Sequence, residues 1–516
     1  MKTIRRFYFY LITLISTQVV IWAVVHLLRT IFDAQVLVSA VDWLAGGIAF
    51  VAVGVPIFLL HWGTVQRDAR KDEEEATSRI RALFLYDLPL ATGIPITYAL
   101  LAILNRLFNR LLDLQITMAT FGGSQTDLDN FIAIAANLIV LVYFWKVLQQ
   151  DWKNQQDHEN LQDFRRLHRY IWMLYGLGLL IFGTQQLLRY IFYMPQGLGR
   201  AAESGLSVGF ALILVGLPIF WFAWRIIQTS LIDAVENTSS LRLVILYILT
   251  FLGVGFSLGA LGILLAGIFR WLFAVETWTI RTFVDQHANS LSVIITLGIV
   301  WLYFRKHLWL AILQTEDMLK QANLRRIYNS ILSFAGMVVS FLGLLFLLGT
   351  IIENLYRFTL GNNAAMLSDA FSFLLIGIPL WIMFWWNIQH EASSKDELGS
   401  EARKSIVRKI YLYLALFATV VGTMISTGWW IYGILKAILD TMPANFWLNF
   451  WMQLRMAVLF AVFMVYHLRV LRMDGKISNQ EEESQKRLAS ILILQSPQAS
   501  FVEQITRQLN GRHFPN

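Results

Sequence analysis

Residues Gly54–Gln66 read GVPIFLLHWGTVQ, and this stretch decides the fold because it occurs three times. The second occurrence is GLPIFWFAWRIIQ at Gly216–Gln228, and the third is GIPLWIMFWWNIQ at Gly377–Gln389. The copies follow one another at intervals of 162 and 161 residues, which is too long for a solenoid unit and suits a small membrane domain. The shared pattern is Gly-x-Pro-x5-Trp-x3-Gln, and its main markers are Gly54, Pro56, Trp62, Gly216, Pro218, Trp224, Gly377, Pro379 and Trp385.

Three further markers return in the same order in each copy. An arginine pair precedes the first apolar run, an Arg-x3-Leu-Tyr sequence opens the third, and a Tyr-x2-basic sequence closes the fourth. These are Arg5-Arg6, Arg165-Arg166 and Arg325-Arg326; Arg81, Arg242 and Arg408; and Tyr143, Tyr303 and Tyr466. The agreement of four markers indicates an internal triplication.

The composition is that of a membrane protein. Hydrophobic residues make up 57% of the chain and charged residues 15%, whereas soluble domains carry about 25% charged residues. Twelve apolar runs are each long enough to cross a bilayer as a helix. They lie near 7–31, 37–63, 81–112, 128–148, 167–193, 204–227, 242–273, 286–308, 327–357, 366–388, 409–439 and 446–470.

The basic residues are distributed unevenly between the loops. If the loops alternate between two sides, the side of the N-terminus carries 32 Lys and Arg and the other side carries 10. By the positive-inside rule both termini are expected in the cytoplasm. The net charge of +8 therefore reflects topology, and we do not expect a nucleic-acid partner.

The predicted fold is an all-α integral membrane protein with about twelve transmembrane helices in three tandem, parallel four-helix repeats. An even number of spans per copy makes every copy insert in the same direction. The expected divisions are 1–163, 164–323, 324–474 and a cytoplasmic amphipathic tail at 475–516. The third helix of each copy is expected to continue into an amphipathic segment at the outer interface, as in 104–120 and 267–283.

The stretch Val53–Trp62, behind a run that begins Arg-Arg-aromatic, resembles the DUF5671 domain of uncharacterised prokaryotic membrane proteins. The resemblance implies a four-span domain in tandem copies and, with it, a bacterial inner membrane. It implies no activity. The second and third copies depart from the signature, because Ala223 and Phe384 stand in place of His61.

No motif indicates an enzyme. The chain has no cysteine, which excludes disulfides and thiol chemistry, and it lacks nucleotide-binding and hydrolase signatures. We therefore expect no catalytic residues, no metal and no cofactor. His26 and His61 are the first candidates for a pigment or haem ligand, although no histidine recurs at the repeat period.

The repeated prolines predict static kinks, with a gating kink or a carbonyl ion ligand as the alternative. The repeated Trp and Tyr predict anchors at the cytoplasmic interface.

Asp87 is the most interesting single residue, because an acid inside a span is a functional hypothesis by default. Pro89 and Pro95 follow it and suggest a broken helix of the kind that forms ion sites in transporters. A locally paired acid is the alternative, and Ile248 and Leu414 replace Asp87 in the other copies.

Asp42, Glu203 and Asp369 lie near the start of each copy's second helix. They are consistent with helix capping or with a ring of acids that attracts cations.

Three functions remain open on this basis. The first is a non-catalytic scaffold or membrane-complex subunit that meets lipid and other membrane proteins. The second is a transporter or channel for a small solute or ion, and the third is a pigment- or haem-binding subunit.

Overall fold

The computed structural model describes residues 2–32, 40–114, 120–154, 159–193, 200–357, 363–394, 396–440 and 442–494. Twelve of its helices are long and apolar enough to cross a membrane, which confirms the predicted number of spans. The protein is thus an all-α, multi-pass membrane protein built from three repeats.

The helices follow one order in all three copies: two spans, a short linker helix and two further spans. In copy 1 these are α1 Lys2–Phe32, α2 Ala40–Lys71, α3 Glu73–Ala76, α4 Arg79–Leu111 and α5 Asp127–Asn154. In copy 2 they are α6 Glu159–Tyr193, α7 Arg200–Ser230, α8 Ala234–Asn237, α9 Ser240–Leu272, the extra short helix α10 Ile280–Gln286 and α11 Ala288–Leu313. In copy 3 they are α12 Met318–Arg357, α13 Ala364–Ser393, α14 Glu397–Lys404, α15 Ile406–Leu439 and α16 Phe446–Leu494. We call the end of each copy that carries α3, α8 or α14 its linker end.

The repeated glycine allows the first two helices of each copy to pack closely, and in copies 2 and 3 it brings the two backbones into contact. A Cβ atom at Gly216 would lie 2.7 Å from the Cβ of Leu179, and one at Gly377 would lie 2.5 Å from the backbone nitrogen of Ser340. At Gly54 the neighbour is a Val20 methyl group at 2.9 Å. Small residues at such crossings permit the close van der Waals packing that holds helices together in lipid.

The chain forms two compact units, and the first comprises Met1–Ala260 and Thr279–Arg305. Its helices associate mainly as the pairs α1–α2, α4–α5 and α6–α7, and α4 also packs against α7 of the following copy. Aromatic and aliphatic side chains such as Tyr10, Phe84 and Phe144 fill the interior of copy 1 near its linker end.

The second unit comprises Leu261–Trp278 and Lys306–Asn516. Its main helix pairs are α12–α13 and α15–α16, and α12 also packs against both α15 and α16. Trp385, Tyr411 and Leu412 lie in its core.

Two details differ from the sequence-based expectation. The expected break after Asp87 is wrong, because α4 continues through Pro89 and Pro95 to Leu111; transmembrane helices tolerate proline where neighbouring groups satisfy the freed carbonyl. The segment 267–283 is not one amphipathic helix either. Within this segment α9 ends at Leu272, the chain turns through Ala274 at a φ of 55°, and α10 begins at Ile280.

At the C-terminus, α16 is continuous to Leu494, so the division expected at residue 474 falls inside a helix. The rest of the predicted tail, 495–516, lies outside the described residues.

Candidate functional site

The first polar cluster lies at the linker end of each copy and uses the second arginine of the repeated pair. Arg6 Nε lies 2.5 Å from Glu75, Arg166 Nε lies 2.8 Å from Glu236, and Arg326 Nη2 lies 2.8 Å from Glu391. The three arginine side chains are between 5% and 11% exposed. In copies 1 and 2 the pair joins the first helix to the short helix that follows the second, and in copy 3 it joins the first helix to the last turn of the second, so each pair closes the bundle at this end.

A second cluster surrounds the arginine that opens the third helix. Arg81 is 3% exposed and binds both carboxylate oxygens of Asp151, at 2.7 and 3.2 Å. It also donates to Gln66 Oε1 and to the Tyr10 hydroxyl, each at 3.3 Å. Gln66 is the last residue of the repeated pattern, so the cluster connects that pattern to α4 and α5.

Copy 3 reproduces this cluster closely. Arg408 is 2% exposed, binds Asp474 at 2.6 and 3.1 Å and donates to Gln389 Oε1 at 2.9 Å. Its guanidinium also lies 5.7 Å from the ring centre of Trp385. A bidentate guanidinium–carboxylate pair with further hydrogen bonds is the arrangement that makes a buried charge tolerable.

Copy 2 departs from this arrangement. Ala311 stands where Asp151 and Asp474 stand in the other copies, eight residues after the repeated tyrosine. Arg242 instead donates to the backbone oxygen of Asn237 at 2.9 Å and to its side-chain oxygen. No carboxylate among the described residues forms an ion pair with it.

The third cluster joins the repeated tryptophan to the repeated tyrosine. Trp62 Nε1 donates to the Tyr143 hydroxyl at 2.7 Å, Trp224 to Tyr303 at 2.7 Å and Trp385 to Tyr466 at 2.5 Å. Trp62 and Trp385 are only 5% and 7% exposed. The tryptophan therefore connects the second helix of its copy to the fourth, a contact that the interpretation as an interfacial anchor overlooked.

Asp87 lies on the outward side of α4. Its side chain is half-buried, and the exposed residues Leu83 and Ile94 share its face of the helix. Within the described part of the chain it has no hydrogen-bond or ion-pair partner. The hypothesis of a functional acid stays open, but neither of the two cavities near the linker end or the opposite end of copy 1 includes Asp87 in its lining.

The three acids near the second helices have different surroundings. Asp42 is exposed in the first turn of α2. Asp369 lies in α13, and its carboxylate is 3.1 Å from Nη2 of Arg270. Glu203 belongs to α7, but its side chain lies outside the described residues. The hypothesis of an acidic ring stays a prediction.

His61 contacts its own helix and the first helix of copy 1. Its Nδ1 lies 2.8 Å from the carbonyl oxygen of Ile57, and its ring centre is 5.4 Å from that of Phe9.

His26 packs against Trp22, with ring centres 4.3 Å apart, and lines a cavity of about 240 Å³ between α1, α4 and α5. Gln18, Asn130 and Asn137 add amide groups to that cavity. This arrangement can hold a small polar molecule.

A larger cavity of about 800 Å³ opens at the linker end of copy 1. It is lined by charged and polar residues that include Arg70, Lys71, Arg81, Lys146 and Asp151. Its walls contain both signs of charge, and the Arg81–Asp151 pair forms part of one wall.

Sequence reasoning identified the arginine of each charged cluster and missed its acid. Asp151 and Asp474 do not form a regular marker, because Ala311 interrupts the series. Glu391 follows Gln389 by two residues, whereas Glu75 follows Gln66 by nine, so the acids escape a search at a fixed period. The tryptophan–tyrosine pairing has a usable signal, since the two residues lie 81, 79 and 81 positions apart.

Comparison with known proteins agrees with this three-copy architecture. No curated protein and no solved structure matches the chain. One family model, described as a domain of unknown function (DUF5671), matches residues 6–145, 166–299 and 326–467. These matches begin at or beside the arginine pairs and contain all the clusters' tryptophans. The chain therefore belongs to the DUF5671 family and contains its domain three times in tandem.

Proposed function

We propose that this protein is a non-catalytic membrane scaffold or a subunit of a larger membrane complex. The observation that carries the proposal is that the buried charges form ion pairs between helices of the same copy. Apart from Arg242, the repeated buried arginines of these clusters are paired with acids of their own copy, as in Arg6–Glu75 and Arg408–Asp474. Because a charge inside a membrane is costly and normally marks a functional path, charges that are consumed in joining helices favour a structural role.

The outward faces support the same proposal. Trp386, Phe222 and Phe182 are between 61% and 69% exposed, so large rings cover faces that lipid or a partner helix can meet. Rings and small residues on such a face pack closely against another helix without needing polar partners. The chemistry that these faces recognise is therefore an apolar transmembrane segment or an acyl chain.

Neighbouring tryptophans allow a direct test. A photoreactive phenylalanine analogue replaces Trp386, which is 69% exposed, or Trp385, which is 7% exposed. In native membranes we expect illumination of the Trp386 variant to form a cross-link to one distinct membrane protein, and the Trp385 variant to form none. Equal labelling from both positions, or cross-links from Trp386 to lipid alone, would argue against a scaffold.

The cavity beside His26 favours a second candidate, namely binding or transport of a small polar solute by copy 1. Gln18, Asn130 and Asn137 place amide groups in the lining of this cavity, inside the helix bundle of copy 1. The test is solute flux into vesicles that contain the purified protein, compared with the variants Asn137→Leu and Asp87→Asn. Flux that Asn137→Leu abolishes would support transport through this cavity, whereas Asp87→Asn tests the separate hypothesis of a functional acid. Flux equal to that of empty vesicles would exclude transport for the solutes tested.

A further inference from the structure

Successive copies meet through the same interface in both places where it can be described. In the first unit, α4 of copy 1 packs against α7 of copy 2. In the second unit, the last part of α9 of copy 2 packs against α13 of copy 3, where Ser372 Oγ donates to the Gly262 carbonyl oxygen at 2.6 Å. We call this contact, between the third helix of one copy and the second helix of the next, the stacking interface.

Equivalent residues make equivalent contacts in the two interfaces. The rings of Phe108 and Phe210 have centres 5.5 Å apart, and those of Phe269 and Phe371 lie 5.6 Å apart. The repeat spacing relates Phe108 to Phe269 and Phe210 to Phe371. The interface is therefore a property of the repeat and does not depend on one pair of copies.

The second helix of copy 1 presents the matching face without a cover. Its residues Ala45, Ala49 and Val53 are exposed. The residues at the same positions in copy 2 are at most 4% exposed in the stacking interface, namely Ser207, Ala211 and Val215. A Cβ atom at the neighbouring Gly46 would meet no atom within 4 Å.

The third helix of copy 3 presents the complementary face. Tyr432 and Leu435 are 55% and 50% exposed, and a Cβ atom at Gly428 would meet nothing within 4 Å. The equivalents of Gly428 and Tyr432 in copy 1 are Leu101 and Asn105, which are 2% and 1% exposed. Asn105 there donates to Ser207 at 3.0 Å.

We propose that these two faces bind each other between two molecules of this chain, so that α15 of one molecule packs against α2 of the next. The charges agree with this arrangement. Within the chain, Arg270 of the third helix pairs with Asp369 of the second helix across this interface. Lys436 occupies the position of Arg270 on the free face of copy 3. On the free face of copy 1, the exposed Asp42 lies one turn from Gly46, the position equivalent to Asp369, so the two faces carry opposite charges. A contact between two different faces is heterologous, so it produces either a closed ring or an open row in the plane of the membrane. The inference stands independently of the proposed function.

Because the chain has no cysteine, thiol cross-linking will report only on the cysteines that are introduced. Ile48 and Leu435 occupy the positions of Phe210 and Phe108. Ile48→Cys and Leu435→Cys are placed on two differently tagged copies of the full chain, which are co-expressed and treated in membranes with a short thiol-specific linker. We expect a product that carries both tags, and no product from either variant expressed alone.

Matched controls come from the same helices. Leu60 and Ile410 are 69% and 60% exposed, and their equivalents in the other copies, Phe222, Met383, Leu83 and Val244, are also exposed. The pair Leu60→Cys and Ile410→Cys should therefore give no two-tag product. In addition, Ala49→Trp, at the position of the fully buried Ala211, should reduce the Ile48–Leu435 product at least tenfold, whereas Gly63→Trp, at a position with open space, should not.

Two results would overturn the proposal. One is a yield of two-tag product no greater than that of the control pair. The other is a chain with both Ile48→Cys and Leu435→Cys that cross-links only within itself, since this would show that one molecule closes its own faces.

Discussion

At the scale of single residues, Arg81 shows how this protein accommodates charge. Its side chain is 3% exposed, and Asp151 compensates its charge in a bidentate pair. Gln66 and Tyr10 accept hydrogen bonds from two of its remaining N–H groups. A guanidinium in such surroundings stabilises one arrangement of helices, because removing a single partner would leave an uncompensated buried charge.

The buried pair in copy 3 leads to a stability prediction. Asp474→Asn removes the charge that compensates Arg408, so we expect a loss of about 3 kcal/mol or more in the free energy of unfolding. The measurement is thermal or denaturant unfolding of the purified protein in detergent. The control is Asp163→Asn, because Asp163 is 78% exposed and its pair with Arg166 should contribute at most about 1 kcal/mol. Equal effects of the two variants would contradict a structural role for Arg408–Asp474.

The tryptophan–tyrosine hydrogen bond has its own test. Trp385→Phe removes the donor to the Tyr466 hydroxyl and leaves a smaller ring in the core, so we expect a loss of about 1 kcal/mol or more. Trp386→Phe is the control, because Trp386 is 69% exposed. Unfolding in detergent should separate the two variants, and the interpretation fails if Trp386→Phe is the more destabilised.

At the scale of helices, the first and second helices of each copy approach closely because both present small residues at the crossing. Gly336 of α12 lies against Trp381 of α13, where an added Cβ atom would come within 2.8 Å of the Trp381 Cα. In copy 2, Gly176 lies in the same way against Phe220, with 2.5 Å to the backbone nitrogen. Lipid offers no hydrophobic force to push helices together, so such contacts provide much of their association.

A pair of glycine variants tests this packing. Gly336→Ala forces two backbones apart, and we expect it to cost about 1–3 kcal/mol. Gly255→Ala is the control, because a Cβ atom there meets nothing within 4 Å and alanine favours a helix by up to about 1 kcal/mol. In unfolding experiments we expect Gly336→Ala to lower the free energy of unfolding and Gly255→Ala to raise it. A similar loss of stability in both variants would contradict a specific role for Gly336 in helix packing.

The sequence predicted the helices better than it predicted their contacts. Length and apolarity are local properties, so the twelve spans follow directly from them. Trp62 and Tyr143 were both recognised as repeated markers, but one sequence does not show that residues 81 positions apart touch. The helix expected to break after Asp87 is continuous, because prolines in a sequence do not by themselves show whether a transmembrane helix ends or continues through them, as α4 does.

At the scale of the whole molecule, the repeat explains both the similarity of the copies and their differences. The stacking interface appears twice within the chain, and the clusters around Arg81 and Arg408 are nearly the same. Copy 2 lacks the acid of this cluster, and only copy 1 has His61 and Asp87. A function specific to one copy would depend on such residues. Among the described residues Asp87 has no hydrogen-bond or ion-pair partner.

The central claim is that three equivalent four-helix copies cross the membrane in the same direction, and single-cysteine labelling tests it most directly. The exposed residues Glu73, Ile232 and Lys404 lie at the three linker ends, and Ser124, Thr277 and Ala444 lie at the opposite ends. Each is replaced by cysteine in turn, and intact cells are treated with a membrane-impermeant maleimide. We predict that Ser124→Cys, Thr277→Cys and Ala444→Cys react in intact cells, whereas the three linker-end variants react only after permeabilisation. A copy whose two ends react in the opposite sense to the others would contradict the claim.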